Sequence, residues 1–538
     1  MSSPPKDIIK IHYDNRMAHF SFIDLFAGIG GFRLALESVG GTCLGFSEIA
    51  PDAIHTYCKN FDEDESANFG DITKLKTLPQ HDFMTAGVPC QSWSIAGKNL
   101  GFDDDRGQLW NDTIYLLNKV RPKAFIFENV KGLSDPRNKE ALEYILMRIK
   151  KAGYYAKKFL LNAYDYGVPQ TRVRIYIIGF REKKYLDSFA LPAPTPGRVR
   201  LVDVLDDCDL EADSPAEEHK ARWSLSCNEK GFNDYFLFND LRNGDTTIHS
   251  WDIIDTTQRE KDICYLLLHN RRNKRYGEQD GNPMSLEQLQ GLDATIHVGE
   301  LDALVGKGIL KRVEYAFIIE QPFDDLSENA KLLLSKNEEG RLVFHVLKND
   351  HDIKKAKINV HEMLAELEEN GFIRCSETRY DFKNGKISTG LNGVNRIFLP
   401  SSKIYPTLVA SDTNDFVATK NIDGDTINEF RSNFMEQIYS KGAYRKITKS
   451  EACRIQGFPP DFKLPTTRPR WMKLIGNSVA VPVIKILAKA VVETGVFEGQ
   501  EAIIKSKTRT NQTDLFSVDK KYKSVPSYPP SIVQEGQQ

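Results

Sequence analysis

The chain has 538 residues, enough for two to four folded domains at roughly 100–200 residues per domain. The composition, with 41% hydrophobic and 27% charged residues, is that of a globular protein and excludes a collagen-like or wholly disordered chain. The net charge of 72 − 74 = −2 gives no global attraction to nucleic acid, so such a partner would need a local basic surface.

The cysteine pattern and the hydropathy of the chain indicate its compartment. The eight cysteines lie far apart with no spacing typical of zinc, which favours free thiols and no metal site. No apolar run approaches the ~20 residues that span a bilayer, and the first residues lack the apolar segment of a signal peptide. We therefore predict a cytoplasmic protein without a membrane segment.

The first part of the chain alternates strand and helix signals. Strands separated by helical patterns of about 10–15 residues predict a parallel sheet covered on both faces, which is an α/β, Rossmann-like, doubly wound fold. Ligands bind beyond the carboxyl ends of the strands in such sheets. The side chains expected together at that edge are Phe26, Glu48, Cys90 and Glu128. The predicted strands are the apolar runs at 21–26, 43–49, 82–87 and 123–130.

The alternation stops at about residue 186. A proline-rich link leads into a long irregular region, which we predict to be a large inserted domain over 186–443. Alternation returns at 444–498, completing the domain that begins at 21–185. The remaining ends are predicted to be an N-terminal extension (1–20) and a disordered tail (499–538).

A weak internal repeat lies in the inserted region. A helix, a glycine and a short strand follow Ile296 and again Ile358, and the glycines Gly308 and Gly371 are 63 residues apart. The pattern suits a pair of winged-helix-like units, whose helix could enter a groove of nucleic acid. Generic packing of helix, glycine and strand is commoner, and we favour it.

Glycines and acids follow the first strands. The segment DLFAGIGG at 24–31 opens a helix, and its glycines, Gly28 and Gly30 among them, allow a tight turn and close approach to a ligand. Glu48 suits the two hydroxyls of a ribose, and Asp71 could accept from an adenine amino group. A helix cap or an exposed acid is the alternative for each carboxylate.

Four residues have the placement that a nucleophile and its helpers need. Cys90 ends a strand beside a loop rich in glycine and serine, where a thiolate would be reachable. Glu128 ends an apolar run, and a carboxylate is costly to bury without a task or partner. Arg172 and Arg174 point to the same side of a strand, so both can address one face. Inert burial of the thiol and surface ion pairs of the arginines are the alternatives.

Together these segments resemble the DNA (cytosine-5-)methyltransferase family over about 21–185 and 444–496. The resemblance implies methylation of carbon 5 of a cytosine in a specific double-stranded DNA sequence, with S-adenosyl-L-methionine as cofactor. It also implies a functional pairing with a restriction endonuclease, and we expect a monomer. The matching motifs are DLFAGIGG, FSEI, GDIT, GVPCQSWSIAGKNLGFDDDRGQLW, FENVKGL, YGVPQTRVRIYIIGF, RKITKSEACRIQGFPPDF and IGNSVAVPV.

The resemblance also assigns roles to individual residues. Cys90 would be the nucleophile, Glu128 the acid that contacts the target ring, and Arg172 and Arg174 would orient the cytosine. The target base must leave the stack to be reached, and we predict that the loop at 91–106 closes over it. The cofactor pocket would be lined by Phe26, Gly28, Gly30, Glu48, Asp71, Pro89, Asn477 and Ser478.

Three segments outside those motifs suggest contacts with partners. The inserted region corresponds to the family's target-recognition segment, with SSKIYPTLVASD at 401–412 resembling its recurring core. QTDLF at 512–516 (Gln512 to Phe516) resembles the peptide that docks on a replication sliding clamp. The basic stretch HNRRNKRYG is a candidate phosphate contact through Arg271, Arg272, Lys274 and Arg275, with a solvated loop as the alternative.

Two other functions stay open on the sequence alone. One is the same chemistry on tRNA, which the size of the inserted region disfavours. The other is a sequence-specific DNA-binding protein that keeps the fold without turnover, which the intact Cys90, Glu128 and Arg174 disfavour.

Overall fold

The computed structural model covers the parts of the chain that carry most of the predicted motifs. Cys90, nearly all of the 91–106 loop and the peptide at 512–516 lie outside the described residues, so the predictions made for them stay predictions. The described residues are 19–89, 105–195, 199–206, 228, 230–277, 281–319, 334–336, 342–344, 360–385 and 389–499.

A six-stranded sheet in the order β2-β1-β3-β4-β6-β5 forms the first body of the protein. Its central strands are buried on both faces and rich in Phe, Ile and Leu, as expected for strands covered by helices on both sides. The four predicted strands pair in parallel, which confirms the α/β prediction. The strands are β1 (Phe20–Leu25), β2 (Gly41–Ser47), β3 (Phe83–Gly87), β4 (Ala124–Val130), β5 (Tyr155–Asn162) and β6 (Val173–Phe180).

Strand β6 runs antiparallel to both of its neighbours, β4 and β5. This reversal brings the amino end of β6 to the edge where the parallel strands have their carboxyl ends. Arg174 therefore lies opposite Val130, and Tyr176 lies opposite Glu128. One edge of the sheet thus collects the ends of β1 to β4 and the start of β6.

Helices cover this sheet on both faces, and the last ones return from the far end of the chain. Gly31 in the first helix packs directly against Val479 and Phe458, which belong to the return segment. The helices of this body are α1 (Gly31–Glu37), α2 (Pro51–Phe61), α3 (Asp105–Val120), α4 (Lys139–Lys151) and α5 (Lys183–Ser188). After the inserted region come α12 (Lys449–Gln456), α13 (Arg468–Asn477) and α14 (Val481–Val492).

A five-stranded sheet in the order β16-β15-β14-β7-β8 forms a second body. Its strands come from both ends of the inserted region, so the chain between β8 and β14 is an insertion within this sheet. Phe236 and Phe434 stack at the centre of its core with ring centroids 3.6 Å apart. The elements are β7 (Tyr235–Phe238), β8 (Thr247–Ile248), β14 (Arg396–Phe398), β15 (Asp415–Ala418), α11 (Ile427–Phe434) and β16 (Tyr444–Arg445).

A third body lies between β8 and β14 and has its own hydrophobic core, which includes Trp251, Leu267, Leu304 and Phe382. Its sheet has the order β10-β13-β9, with antiparallel pairing throughout. The elements are α6 (Ser250–Ile253), α7 (Gln258–Asn270), β9 (Met284–Ser285), α8 (Leu286–Gln290), α9 (Val298–Gly306), β10 (Leu310–Ile319), β11 (Leu334–Lys336), β12 (Leu342–Phe344), α10 (Val360–Glu369) and β13 (Ile373–Phe382).

The internal repeat corresponds to two helix–glycine–strand segments of this third body. Gly308 and Gly371 both have positive φ, 74° and 72°, so each glycine allows the chain to turn from helix to strand. The two repeat strands, β10 and β13, pair with each other in one sheet. The two copies therefore contribute strands to one sheet, which agrees with the generic packing of helix, glycine and strand that we favoured from the sequence.

One helical stretch among the described residues, Arg468–Val492, is long and apolar enough to cross a membrane by length and composition alone. Two thirds of its most apolar window, 67%, is buried within the protein, as in the core helices of a globular fold.

Within the described residues the cysteines are free thiols, and no cluster of His, Cys, Asp or Glu could hold a metal ion.

Candidate active site

The turn after β1 forms the floor of a cleft at the edge of the first sheet. Phe26 has φ of 52°, which costs energy for a residue with a side chain, and Gly28 follows with φ of 55°. A Cβ built at Gly28 would meet nothing within 4 Å, so the backbone here is open to a ligand. The cleft is lined by Phe26, Ala27, Gly28, Gly31, Phe32, Gly87, Glu128, Asn477, Ser478 and Val479.

The second glycine of the turn has a packing role. A Cβ at Gly30 would lie 2.3 Å from the ring of Phe61 and 3.1 Å from that of Tyr57, and its φ is 90°. Gly30 therefore permits helix α1 to approach α2. A direct contact of Gly30 with a cofactor stays a prediction.

Glu48 holds the glycine turn in place. One oxygen of its carboxylate accepts from Gly28 N–H at 2.8 Å, and the other accepts from the N–H groups of Ile49 and Ala50 at 2.8 and 2.9 Å. These three bonds fix the orientation of the carboxylate at the end of β2. A fixed carboxylate with free lone pairs at the cleft edge fits the predicted contact with a ribose.

Asp71 caps a short 3₁₀ helix, as the alternative interpretation of the sequence proposed. Its carboxylate accepts from the Thr73 N–H at 3.0 Å and from the Thr73 hydroxyl at 2.9 Å. A contact with adenine is compatible with this geometry because the second carboxylate oxygen makes only an ion pair with Lys74, at 3.5 Å.

Glu128 and Arg174 form the charged centre of the cleft. The two side chains are mostly buried, and Arg174 Nε lies 3.1 Å from Glu128 Oε1. Burial raises the pKa of Glu128 above its ordinary value, and Arg174 and Arg172 oppose that rise. The site therefore contains a carboxyl group that holds a proton more readily than an exposed glutamate.

Asn129 connects this pair to the strand that precedes Cys90. Its side-chain amide donates to the carbonyl of Val88 at 3.1 Å, and its oxygen accepts from Val130 N–H at 2.8 Å. Val88 and Pro89 lead directly to position 90. Asn129 thus fixes the carboxyl ends of β3 and β4 relative to each other, a role that the sequence motif alone did not reveal.

Arg172 lies near Glu128, as Arg174 does, but its hydrogen bonds go to backbone carbonyls of other segments. Its guanidinium donates to the carbonyls of Leu408 at 2.9 Å, Gly476 at 3.0 Å and Ser478 at 2.7 Å. The residue is buried, and burial together with Arg174 lowers its pKa to about 9, so it stays charged at pH 7. Arg172 precedes β6 and donates to these backbone carbonyls, so its predicted contact with the cytosine stays a prediction.

Two buried glutamines extend the contacts of Arg172, and sequence analysis missed both. Gln170 accepts from Leu408 N–H at 3.0 Å and donates to the side chain of Gln456 at 2.7 Å. Gln456 donates in turn to the carbonyl of Ser478 at 2.8 Å. No local feature of the sequence marks them, because their partners lie far away in the chain. This network joins the start of β6, the 401–412 segment and the return helices.

The basic stretch at 269–277 differs from its prediction at one residue. Arg271 is buried, forms an ion pair with Asp381 at 2.9 Å and contacts the backbone at Gly281. Its assignment as a phosphate contact is therefore wrong, because the guanidinium is used inside the third body. Arg272, Lys274 and Arg275 are exposed.

The fold, the glycine turn and the buried acid–arginine pair place a cleft at the carboxyl edge of an α/β sheet, where proteins of this fold bind ligands. The family model for C-5 cytosine-specific DNA methylases matches residues 20–493, and the chain belongs to that family. It is 40% identical over 493 residues to the Type II methyltransferase M.HgiBI of Herpetosiphon aurantiacus, covering 90% of this chain and 99% of that protein.

Other relatives match over different lengths. The Type II methyltransferase M.NlaIV of Neisseria lactamica is 31% identical over 500 residues, covering 89% of this chain and 100% of that protein. M.HhaI of Haemophilus parahaemolyticus is 43% identical over 194 residues, covering 36% of this chain and 58% of that protein. The S. pombe Dnmt2 methyltransferase structure aligns with a TM-score of 0.41 at 13% identity, covering 88% and 98% of the two chains.

Proposed function

We propose that this protein methylates carbon 5 of a cytosine within a specific double-stranded DNA sequence, as the protective partner of a restriction endonuclease. The observation that carries the proposal is the buried Glu128–Arg174 pair at the same sheet edge as the glycine turn. Membership of the cytosine-specific family supports the reaction type, and the Type II names of the relatives support the pairing with an endonuclease. These names do not favour the tRNA alternative.

The chemistry gives each predicted residue a task. Carbon 5 of cytosine is a poor nucleophile, and addition of the Cys90 thiolate to carbon 6 makes it reactive. Glu128, held next to Arg174, supplies a proton or hydrogen bond to ring nitrogen 3 as charge develops there. Loss of the carbon 5 proton then expels the thiolate, for which cysteine is suited because it is also a good leaving group. Arg174 is placed to orient the ring.

S-adenosyl-L-methionine is the cofactor that we propose for the cleft. The open backbone at Gly28 and the fixed carboxylate of Glu48 fit a ligand with a ribose, and Asn477 and Ser478 line the opposite wall. When bound, this group supplies an electrophilic methyl group. Phe26, Asp71 and Pro89 complete the proposed set around it.

Transfer of a labelled methyl group tests the activity and its substrate together. The wild-type protein is expected to label duplex DNA and not tRNA, and Cys90→Ser is expected to label neither. Bisulfite sequencing of the labelled DNA would identify the modified cytosine. Labelling of tRNA alone, or equal labelling by Cys90→Ser, would reject the proposal.

The 186–443 region is proposed to read the target sequence, and the protein is proposed to act as a monomer in the cytoplasm.

A separate proposal concerns the peptide at 512–516, which would dock on a sliding clamp. A synthetic 505–523 peptide should bind a bacterial clamp in fluorescence polarisation, whereas the same peptide with Leu515→Ala and Phe516→Ala should not. Equal signals from both peptides would reject the clamp contact.

A further inference from the structure

Three glycines line the cleft at the edge of the first sheet, and local structure explains two of them. Gly28 has φ of 55°, a backbone conformation that favours glycine. A Cβ at Gly31 would lie 2.8 Å from the side chain of Val479, so helix α1 needs a glycine there to pack on the return segment. The third glycine of the lining is Gly87, to which neither reason applies.

Gly87 is the last residue of β3, and its backbone and surroundings would accept alanine. Its φ lies outside the left-handed region, so a residue with a side chain could adopt the same conformation. A Cβ at Gly87 would lie 3.8 Å from the carbonyl oxygen of Phe26, 3.8 Å from the ring of Phe32 and 4.0 Å from Glu128 Oε2. These are ordinary van der Waals distances, and no atom of the described residues beyond its chain neighbours would lie closer.

Glycine weakens a strand relative to alanine, because it loses more conformational freedom on folding and has no side chain to pack. The register of β3 with β4 runs without a bulge from Phe83 opposite Ala124 to Gly87 opposite Glu128. A glycine in a regular strand, with no packing contact that requires it, is typical of a place where a ligand approaches the backbone closely.

The space over Gly87 lies between the two halves of the proposed site. The register puts Gly87 beside Glu128, the acid proposed to contact the target ring. On the other side, Ala86 pairs with Leu25, so Gly87 lies beside the turn at Phe26, which is proposed to contact the cofactor. The free space is therefore bounded on one side by the cofactor turn and on the other by the buried acid.

We infer that Gly87 determines the size of the group that the enzyme transfers, because its missing side chain leaves room for the methyl group of the cofactor. The inference rests on the proposed function for the identity of that cofactor. A Cβ and a methyl group have the same size, so alanine at position 87 would compete with the methyl group for this space. The turn at Gly28 and the carboxylate of Glu48, proposed to hold the rest of the cofactor, would be unaffected.

The space over Gly87 holds a group of about one carbon atom. A Cβ there already reaches van der Waals contact with Phe26, Phe32 and Glu128. The side chains of Phe32 and Glu128 are buried in a closely packed interior, which opposes their displacement. A second carbon on the transferred group would therefore meet these neighbours.

Ligand binding tests the inference without catalysis. Isothermal titration calorimetry of the full chain without DNA gives dissociation constants for S-adenosyl-L-methionine and for S-adenosyl-L-homocysteine, which is the same molecule without the methyl group. Gly87→Ala is compared with the wild-type protein and with Gly299→Ala in α9, where a Cβ meets nothing within 4 Å. Neither substitution changes the charge of the protein, so a change in the ratio of the two constants reports the methyl group.

The Gly87→Ala variant should bind S-adenosyl-L-methionine about tenfold to hundredfold more weakly than wild type, because an extra carbon is forced into a filled space. Its affinity for S-adenosyl-L-homocysteine should change by less than about threefold. Gly299→Ala should keep both wild-type constants. The thermal unfolding temperature of Gly87→Ala should equal or exceed that of wild type, since alanine suits the strand better.

A second measurement uses the wild-type protein alone, so it does not depend on the folding of a variant. S-adenosyl-L-ethionine carries an ethyl group in place of the methyl group and should bind about tenfold or more weakly than S-adenosyl-L-methionine.

Two results would overturn the inference alone: an unchanged ratio of the two constants in Gly87→Ala, or equal binding of the ethyl and methyl ligands by wild type. A wild-type protein that binds neither S-adenosyl-L-methionine nor S-adenosyl-L-homocysteine would instead reject the proposed cofactor, and the inference with it.

Discussion

Burial and the neighbouring arginines act in opposite directions on the Glu128 carboxyl. Burial raises its pKa above the ordinary value, and Arg174, at 3.1 Å, and Arg172 oppose that rise. A general acid needs such a balance because it must hold a proton and also give it up. These opposed effects support the proposed role of Glu128 in proton transfer at the target ring.

Replacing Glu128 by Gln tests this role. Glutamine keeps the size and one hydrogen-bonding oxygen for Arg174 but cannot exchange a proton. We expect the single-turnover rate of methyl transfer to fall by about 10²–10⁴-fold, with the fold retained in circular dichroism. A rate within a few-fold of wild type would contradict the role.

Asp24 is a second buried acid, located below the glycine turn. Its carboxyl accepts from the Thr85 hydroxyl at 2.9 Å, and its other oxygen has no partner among the described residues. Burial raises the pKa of Asp24 from 3.8 to about 8. Between these values the carboxyl is protonated in the folded protein and ionised in the unfolded chain.

The Asp24 carboxyl therefore stabilises the folded protein at low pH, and this contribution to the free energy of unfolding is lost as pH rises toward about 8. Its contribution to the free energy of unfolding should fall by up to about 1.4 kcal/mol per pH unit. Asp24→Asn removes the titration, so urea unfolding at pH 5, 6 and 7 should show a flatter dependence in the variant. Parallel curves for the two proteins would contradict the protonated state of Asp24.

At the scale of elements, Arg172 explains how distant segments are held at one site. The three carbonyls that it binds belong to the 401–412 segment and to the end of α13, next to the cleft that Asn477 and Ser478 line. The sequence motif predicted Arg172 as a site residue that orients the cytosine. It could not predict the role, because the partners are backbone atoms more than 230 residues away in the chain.

Arg172→Ala should therefore act on stability and on cofactor affinity. Three buried carbonyls would lose their donor, at a cost of about 3 kcal/mol or more in the free energy of unfolding. The KM for S-adenosyl-L-methionine should rise as Ser478 moves. Arg172→Lys should restore part of the stability, since an ammonium can reach some of the same carbonyls. An unchanged stability in Arg172→Ala would contradict this account.

Gly476 in α13 packs closely against the backbone of Val409, which belongs to the 401–412 segment. A Cβ at this position would lie 2.3 Å from the carbonyl of Val409, and backbone atoms cannot rotate away. Gly476→Ala should lower the free energy of unfolding by about 1–3 kcal/mol. Gly299→Ala in α9 is the matched control, because a Cβ there meets nothing within 4 Å. Equal thermal shifts for the two variants would contradict the close contact.

The strands of the first body were predictable because each coincides with an apolar run bounded by turn residues in the sequence. The four parallel strands lie within two residues of their predicted positions, and the carboxyl ends meet as expected. The reversed direction of β6 was not predictable, since an apolar run carries no sign of its direction. That reversal is what brings Arg174 to Glu128.

At the scale of the whole molecule, the chain completes its first body only after 258 residues of inserted region. The inserted region was predicted as one domain, with its internal repeat as the only clue to its organisation. The structure has a sheet to which both ends of this region contribute strands, and a separate body with its own core between them. The pairing of β10 with β13 runs from Leu310 opposite Phe382 to Ile319 opposite Ile373, positions far apart in the chain, and no local pattern specifies it.

The central claim is that the thiol of Cys90 adds to the target cytosine beside Glu128. A duplex with 5-fluorocytosine at the mapped target position tests it most directly, because fluorine cannot leave carbon 5 as a proton does. With S-adenosyl-L-methionine present, the wild-type protein should form a protein–DNA adduct that survives denaturing electrophoresis, and Cys90→Ser should form none. Methylation of ordinary cytosine by a wild-type protein that forms no adduct, or an adduct with Cys90→Ser, would contradict the account.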